Sequence, residues 1–314
     1  PFIPLALMPL YSISMRRFRA QVFGWLFLLL AIGLPAAGAA SEKPACVLIS
    51  REIAPYIAMV EGLEDALGNQ LLQRYFLNRE GQPYTLAGPG GVFDPRRFSV
   101  LVAVGPEALR FLHGLGTDVP LVYAMVLNPG NVVGSAAPDF FCGVTLNLSA
   151  ATQIFSIRRH FPDLNRLGVL FDPVNNQDWF DQAADVGRAS GIELIPLRVH
   201  QVRGRVVLPA DFQRAEAILF IPDRSIISQT VIRHVIKEAA LHGIPIVGYN
   251  QFFHDAGAAL SIVVDYRGVG GQVARQVEHL LAGKRCEGEL PPAFAVHINR
   301  PVWKALGIGA GGRP

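Results

Sequence analysis

Short runs rich in β-branched residues alternate with stretches of helical period along most of this chain, a pattern that points to parallel strands covered by helices. The strand candidates are Ala45–Ser50, Ser99–Val104, Pro120–Val126, Arg166–Phe171, Glu193–Val199, Ala217–Ile221, Ile244–Gly248, Ala259–Val264 and Ala293–Asn299. Their near-continuous apolar character fits strands buried on both faces. Between them the spacing predicts helices over Ile53–Leu67, Pro106–Leu112, Ala150–His160, Gln177–Ser190, Ile226–His242, Val269–Ala282 and Pro301–Leu306. Pro106 follows Gly105 as a first-turn proline, Asp265 precedes the Val269 helix, and Gly191, Gly243 and Gly283 stand where a helix ends in a left-handed residue. Gln272, Val273, Gln276, Val277, Leu280 and Leu281 recur at three and four residues, which predicts one buried stripe.

With 314 residues, 51% hydrophobic and 17% charged, the chain can bury sizeable cores, and two domains fit its length better than one. Residues 80–97, with Gly88-Pro89-Gly90-Gly91, read as a surface loop, and residues 127–140 read as a turn-rich connector. The connector is a candidate crossing between a first β/α set, 45–126, and a second, 150–248.

Arg16, Arg17 and Arg19 are the only charged residues among the first 40, so the remainder is formally neutral. No stretch gathers four or more Lys or Arg on one face, which argues against a nucleic-acid footprint. After Met15 come the three arginines, the apolar run Val22–Leu34, and then Pro35-Ala36-Ala37-Gly38-Ala39-Ala40-Ser41. Those are the three regions of an export signal, with cleavage expected near Ala40 and delivery to the periplasm as a soluble protein. The apolar run is shorter than the ~20 residues that span a bilayer. Residues 1–14 precede Met15 and have no assignable role. Cys46, Cys142 and Cys286 allow one pair and a free thiol, or three buried thiols, and the odd count favours no structural disulfide. Lys43-Pro44-Ala45 ahead of Cys46 is not the apolar and small context of a lipid-anchored cysteine.

No G-x-S-x-G, H-E-x-x-H, C-x-x-C or G-x-x-x-x-G-K-[ST] occurs, and the eight histidines form no pair at ligand spacing, so neither a catalytic centre nor a metal or cofactor is expected. Gly268-Val269-Gly270-Gly271 is half of a dinucleotide fingerprint far from the first strand, and close helix packing explains it better. What stands out is polar residues at the carboxyl ends of strands, where open α/β sheets hold ligands. These are Gly105-Pro106-Glu107, Asp172 to Asn176, Pro222-Asp223-Arg224-Ser225 and Tyr249 to Phe253. Asp172, Asn176, Asp223 and Ser225 could equally cap helices, and Tyr249 and Phe252 could be core aromatics. Arg224 is suited to clamp a ligand carboxylate.

In this order and spacing the segments resemble a known family. They are Val102 to Leu109, Val119 to Pro129, Gly143-Val144-Thr145, Phe161 to Pro173, Ile244 to Gly248, Gly257 to Leu260, Val264-Asp265-Tyr266 and Ile298-Asn299. The chain is similar to periplasmic substrate-binding proteins of ABC transporters, in the group with tryptophan- and tyrosine-binding members. The resemblance implies an α/β fold of two doubly wound, Rossmann-like lobes joined by a three-crossing hinge, the type 1 periplasmic binding protein architecture. It implies lobe one at 41–145 and 254–286 and lobe two at 146–253 and 287–314, after upstream residues and a signal peptide at 1–40. Asn128 stands where that family often has Asp, and Leu146-Asn147 where Ser-Asp-like pairs are usual. The implied function is capture, without catalysis, of a small ligand, an amino acid and possibly an aromatic one, by a monomer that delivers it to an ABC permease and ATPase. The ligand residues expected are Ser50, Glu52, Gly105, Pro106, Glu107 and Met125 from lobe one. From lobe two they are Asn147, Asp172, Asn176, Asp223, Arg224, Tyr249 and Asn250. Two alternatives are a ligand sensor that signals to a membrane receptor or sensor kinase, and an exported enzyme using Asp172 or Asp223.

Overall fold

Two mainly parallel sheets form where the apolar runs predict them. The computed structural model describes residues 43–309 apart from 69–71, 87–91, 135–140, 199, 203–204, 208 and 224–227. The expected export signal and Arg224 therefore lie outside the described residues.

In the first sheet, β1 (Ala45–Ile49) pairs in parallel with β2 (Leu72–Leu77) on one side and β4 (Leu101–Val104) on the other. Beyond β4 come β5 (Leu121–Val126), β6 (Phe141–Thr145) and β14 (Glu289–Leu290), all parallel, while β3 (Pro83–Tyr84) runs antiparallel outside β2. In the second sheet, β7 (Arg166–Phe171) lies between β8 (Glu193–Arg198) and β11 (Ala217–Phe220). β12 (Ile246–Gly248) and β13 (Leu260–Val264) continue in parallel, and β15 (Phe294–Ile298) closes the edge antiparallel. A small hairpin joins β9 (His200–Val202) and β10 (Arg205–Val207).

Burial explains which strands the sequence signals. All the residues of β1, β4, β5 and β11 are buried, so their runs are apolar throughout. β2 lies near an edge with Gln73 and Arg74 exposed, and β6 is five residues containing Cys142 and Gly143, so neither carries an apolar run. Residues 80–97 hold more than a surface loop: β3 pairs there, a 3₁₀ turn forms at Pro95–Arg97, and the Phe93 ring lies 5.2 Å from that of Tyr75 and 5.8 Å from that of Phe98.

The helices are α1 (Ala54–Leu67), α2 (Pro106–Gly114), α3 (Gly130–Val133), α4 (Ala150–His160), α5 (Pro173–Ala189), α6 (Gln229–Leu241), α7 (Gln251–Ala256), α8 (Tyr266–Leu281) and α9 (Arg300–Ala305). α5 begins at Pro173 rather than Gln177, because Asp172 caps it and Pro173 occupies its first turn. α8 begins at Tyr266, three residues ahead of the expected start, with the Asp265 carboxylate accepting from Gly268 N–H at 3.0 Å. Its buried stripe is Val269, Gly270, Val273, Ala274, Gln276 and Val277; Leu281, expected in the stripe, is 40% exposed.

Gly270 of the half fingerprint serves packing. A Cβ at Gly270 would lie 2.2 Å from Met59 O on α1, and one at Gly62 would lie 2.3 Å from Arg267 O on α8. The two helices thus meet backbone to backbone over the first core of Val47, Ile49, Val102, Val104, Met59, Leu63, Val269 and Val273.

The sheets depart from the expected lobe boundaries in two places. β13 belongs to the second sheet, not with 254–286 in the first, because Leu260 and Ile262 fill the core shared with Val169, Phe171 and Leu219. β14, expected beyond the return at 287, lies instead beside β6 in the first sheet. The chain therefore passes between the sheets at 146–149, at Asp265 and at 291–293, and the last two passages meet where Asp265 N–H donates to Ala293 O at 2.9 Å. Cys46 and Cys142 are buried, Cys286 is half-buried rather than buried, and all three are free thiols.

Candidate functional site

The connectivity opens a crevice at the same end of each sheet. From β1 the chain goes to β2 on one side and returns at β4 on the other; from β7 it goes to β8 and returns at β11. Loops leaving the carboxyl ends of such strand pairs diverge, and ligands of open α/β sheets bind between them. The residues at these ends form two constellations.

In the first, Ser50 follows β1 and is 5% exposed, with its Oγ accepting from Ala108 N–H at 2.8 Å. Gly105 follows β4 with φ +90°, and a Cβ there would lie 2.7 Å from both Ser50 Oγ and Tyr56 Cε2. Backbone angle and close approach each demand glycine. Pro106 opens α2, and Glu107 in its first turn forms an ion pair with Arg51 through Oε1. Glu107 Oε2 is buried with no hydrogen-bond partner. Burial pushes the Glu107 carboxyl up, but its own backbone N–H, Arg51 and the Ser50 hydroxyl outweigh this and hold it below the ordinary 4.5. Burial, and then the Glu107 charge, push the Tyr56 phenol upward. Glu52 is exposed, and its neighbour Arg51 supplies the contact to Glu107.

Gly105→Ala is expected to lower the thermal midpoint by several degrees, since it adds a side chain at positive φ and a 2.7 Å clash. A melting curve unchanged from wild type would contradict the described packing.

Beside this constellation, Met125 (φ +59°) and Asn128 (φ +52°) adopt the left-handed region, and the β5–β6 register shifts between Ala124 and Val126. The Met125 side chain is only 2% exposed and packs in the first core, so it shapes the strand end through this bulge. Asn147 Nδ2 donates to Asn128 Oδ1 at 2.8 Å, tying the passage at 146–149 to the end of β5.

In the second constellation, Asp172 Oδ1 accepts from Val174 N–H at 3.0 Å, so the residue is a helix cap. Its own N–H donates to Asp223 Oδ2 at 2.7 Å, and Asn176 Nδ2 donates to the same oxygen at 2.7 Å. Asn176 leaves helical geometry (φ −136°, ψ 19°) at the point in α5 where its amide meets Asp223. Asp223 is 4% exposed, so its carboxylate is an organising centre rather than a surface charge. Burial, and then Asp223, push the Tyr249 phenol upward, and the Tyr249 ring lies 4.8 Å from Phe253. Asn250 caps α7 through Phe253 N–H at 3.3 Å.

Ser50, Gly105, Pro106 and Glu107 thus gather at the first sheet, and Asp172, Asn176, Asp223 and Tyr249 at the second. Sequence reasoning missed Tyr56, in the first turn of α1 and against Gly105, and Arg51 as the partner of Glu107. It also missed Arg233, whose guanidinium lies 5.4 Å from the centre of the Phe252 ring. A cavity of about 540 Å³ lined by Lys43, Asp94, Arg96, Thr117 and Asp118 lies at the opposite ends of the first sheet's strands, away from both crevices. Among the described residues no group of three or more His, Cys, Asp or Glu could hold a metal ion, and no helix is long and apolar enough to cross a membrane.

A family model described as "ABC transporter substrate binding protein" matches residues 54–308. No curated relative matches the sequence. Among solved structures, a ligand-free, open substrate-binding protein with adhesive properties from Clostridium difficile is 13% identical at TM-score 0.66, covering 87% of this chain and 96% of its own. A Streptococcus pneumonia domain in complex with L-Trp is 15% identical at TM-score 0.52, covering 85% and 95%. A conserved domain protein from Vibrio cholerae is 19% identical at TM-score 0.52, covering 87% and 96%. At these identities the likeness shows the fold, the type 1 periplasmic-binding architecture.

Proposed function

We propose, from the premise that this chain belongs to the ABC transporter substrate-binding protein family, that it is an exported protein capturing a small ammonium-bearing solute, an amino acid, for an ABC permease and ATPase. Members of such a family bind rather than transform their ligand. The solute sits between the two constellations, and its contacts to both favour the closed arrangement of the lobes.

The single observation that carries the reading is Glu107. A carboxylate held ionised at a switch point, with its side chain a third exposed, is suited to receive a cationic group. Asp223 in the second crevice has the same sign of charge and sits beside Tyr249, which favours an ammonium with an apolar or aromatic body. The L-Trp complex of the Streptococcus pneumonia protein supports the same ligand class. Arg224 remains the candidate for the ligand carboxylate. Export is supported by Arg16-Arg17-Phe18-Arg19, the apolar run after it and the small residues at 36–40.

The test is a thermal-shift screen of residues 41–314 against amino acids, nucleosides and small sugars. A ligand at ~100 times its Kd adds about 2.7 kcal/mol, which for a protein of this size is a rise of roughly 5–10 °C. The expected hits carry an α-ammonium group. Hits confined to neutral sugars, or a midpoint unmoved across the set, would overturn the reading.

A further inference from the structure

We propose that Cys142 and Cys286 form a disulfide that staples the segment after α8 to β6, and that this pair is the oxidative modification site of the chain. The cysteine count alone favours three free thiols; the fold places two of them together. Cys142 lies in β6 within the first core, and Cys286 packs against that core, near enough for its thiol to help push that of Cys142 upward.

The backbone brings them there and keeps them there. Glu289 and Leu290 pair in register with Gly143 and Val144, and Gly143 N–H donates to Gly288 O at 3.3 Å. The chain turns at Gly288 (φ +81°), so the residues before it fold back over β6. Glu287 N–H donates at 2.9 Å to Oε1 of the fully buried Gln276, which anchors the turn to α8. Cys46 lies in β1, separated from β6 by β4 and β5.

The two thiols differ in access. Cys142 is 1% exposed, and burial first, then the Cys286 thiol, push its own thiol upward. Cys286 is half-buried and follows Lys284 and Arg285, which favour approach of an anionic oxidant. The oxidant is a small or protein disulfide of an oxidising compartment. The Cys286 thiolate attacks it, forming a mixed disulfide and releasing one thiolate. Cys142 then loses its proton and attacks the Cys286 sulfur, releasing the second thiolate. Two protein thiols lose two electrons and two protons, and one disulfide is reduced to two thiols. That this happens to the protein in its own setting rests on the proposed export; the chemistry of the pair does not.

The experiment keeps the two apart by using purified residues 41–314, fully reduced and then equilibrated with oxidised glutathione. Thiols counted after denaturation are expected to fall from three to one, with a mass loss of 2 Da and a peptide joining Cys142 to Cys286. The thermal midpoint is expected to rise by several degrees, as closing a long loop predicts. Cys286→Ser should remove both the cross-link and the rise. Three thiols remaining, a stable glutathione adduct, or a cross-link to Cys46 would overturn the proposal. Failure here leaves ligand capture untouched, and failure of ligand capture leaves the thiol count unchanged.

Discussion

Asp223→Ala is expected to fold but to bind its ligand at least ~100-fold more weakly than wild type and to lose about 2–5 kcal/mol of stability. Both effects trace to one carboxylate. Asp223 Oδ2 accepts from Asp172 N–H and from Asn176 Nδ2, each at 2.7 Å, in a place only 4% exposed. Each donor left without its acceptor costs about 1–3 kcal/mol, and losing the charge removes the counter-ion offered to an ammonium group. Asp223→Asn separates the two effects. It keeps an oxygen where the donors converge, so most of the stability should return while the weak binding stays. Urea denaturation and calorimetric titration of both variants measure this. Wild-type stability in the alanine variant would mean that the two donors find other acceptors.

The second large effect is a pair of neighbouring substitutions with opposite signs. Gly270→Ala is expected to cost about 1–3 kcal/mol, whereas Gly271→Ala should gain up to about 1 kcal/mol. At Gly270 the new methyl would meet Met59 O at 2.2 Å and Leu63 N at 2.5 Å, backbone atoms that cannot yield without α1 and α8 parting. At Gly271 nothing lies within 4 Å, so only the higher helix propensity of alanine remains. The exposed ion pairs of Arg267 with Glu61 and Asp65 tie the same two helices, but exposed pairs are screened by solvent and do not decide the outcome. Melting curves of the two variants should move apart, and curves moving together would contradict the close crossing.

The fold was largely legible because burial on both faces writes itself as an apolar run. β1, β4, β5, β7 and β11 are legible this way, whereas the edge pair β2–β3, the short β6, β14, the hairpin β9–β10 and the short helices α3 and α7 carry no such run or too short a period. β14 is two residues whose placement depends on a partner about 145 residues away, which no local pattern encodes. The assignment of 254–264 went astray for the same reason. β13 reads as any buried strand, and only its pairing with β12 and β15 puts it in the second sheet.

For the candidate site, the rule that ligands gather at carboxyl ends of strands picks out Ser50, Gly105, Glu107, Asp172 and Asp223, and the structure places each just beyond such an end. The rule does not separate side chains that point into a crevice from those that build its walls. Met125 is core, Asn250 is a cap, and Asp172 is a cap whose backbone holds Asp223. Tyr56 and Arg51 carried no signal, because a tyrosine in the first turn of a helix and an arginine in a loop are ordinary until Gly105 and Glu107 are seen beside them.

The most direct test of ligand capture by both crevices is calorimetric titration of the ligand found by thermal shift into wild type, Glu107→Gln and Asp223→Asn. One site per chain is predicted for wild type, with binding weakened at least tenfold in each variant and melting curves that stay cooperative. Unchanged affinity in both variants would contradict the account, as would a loss confined to one of them.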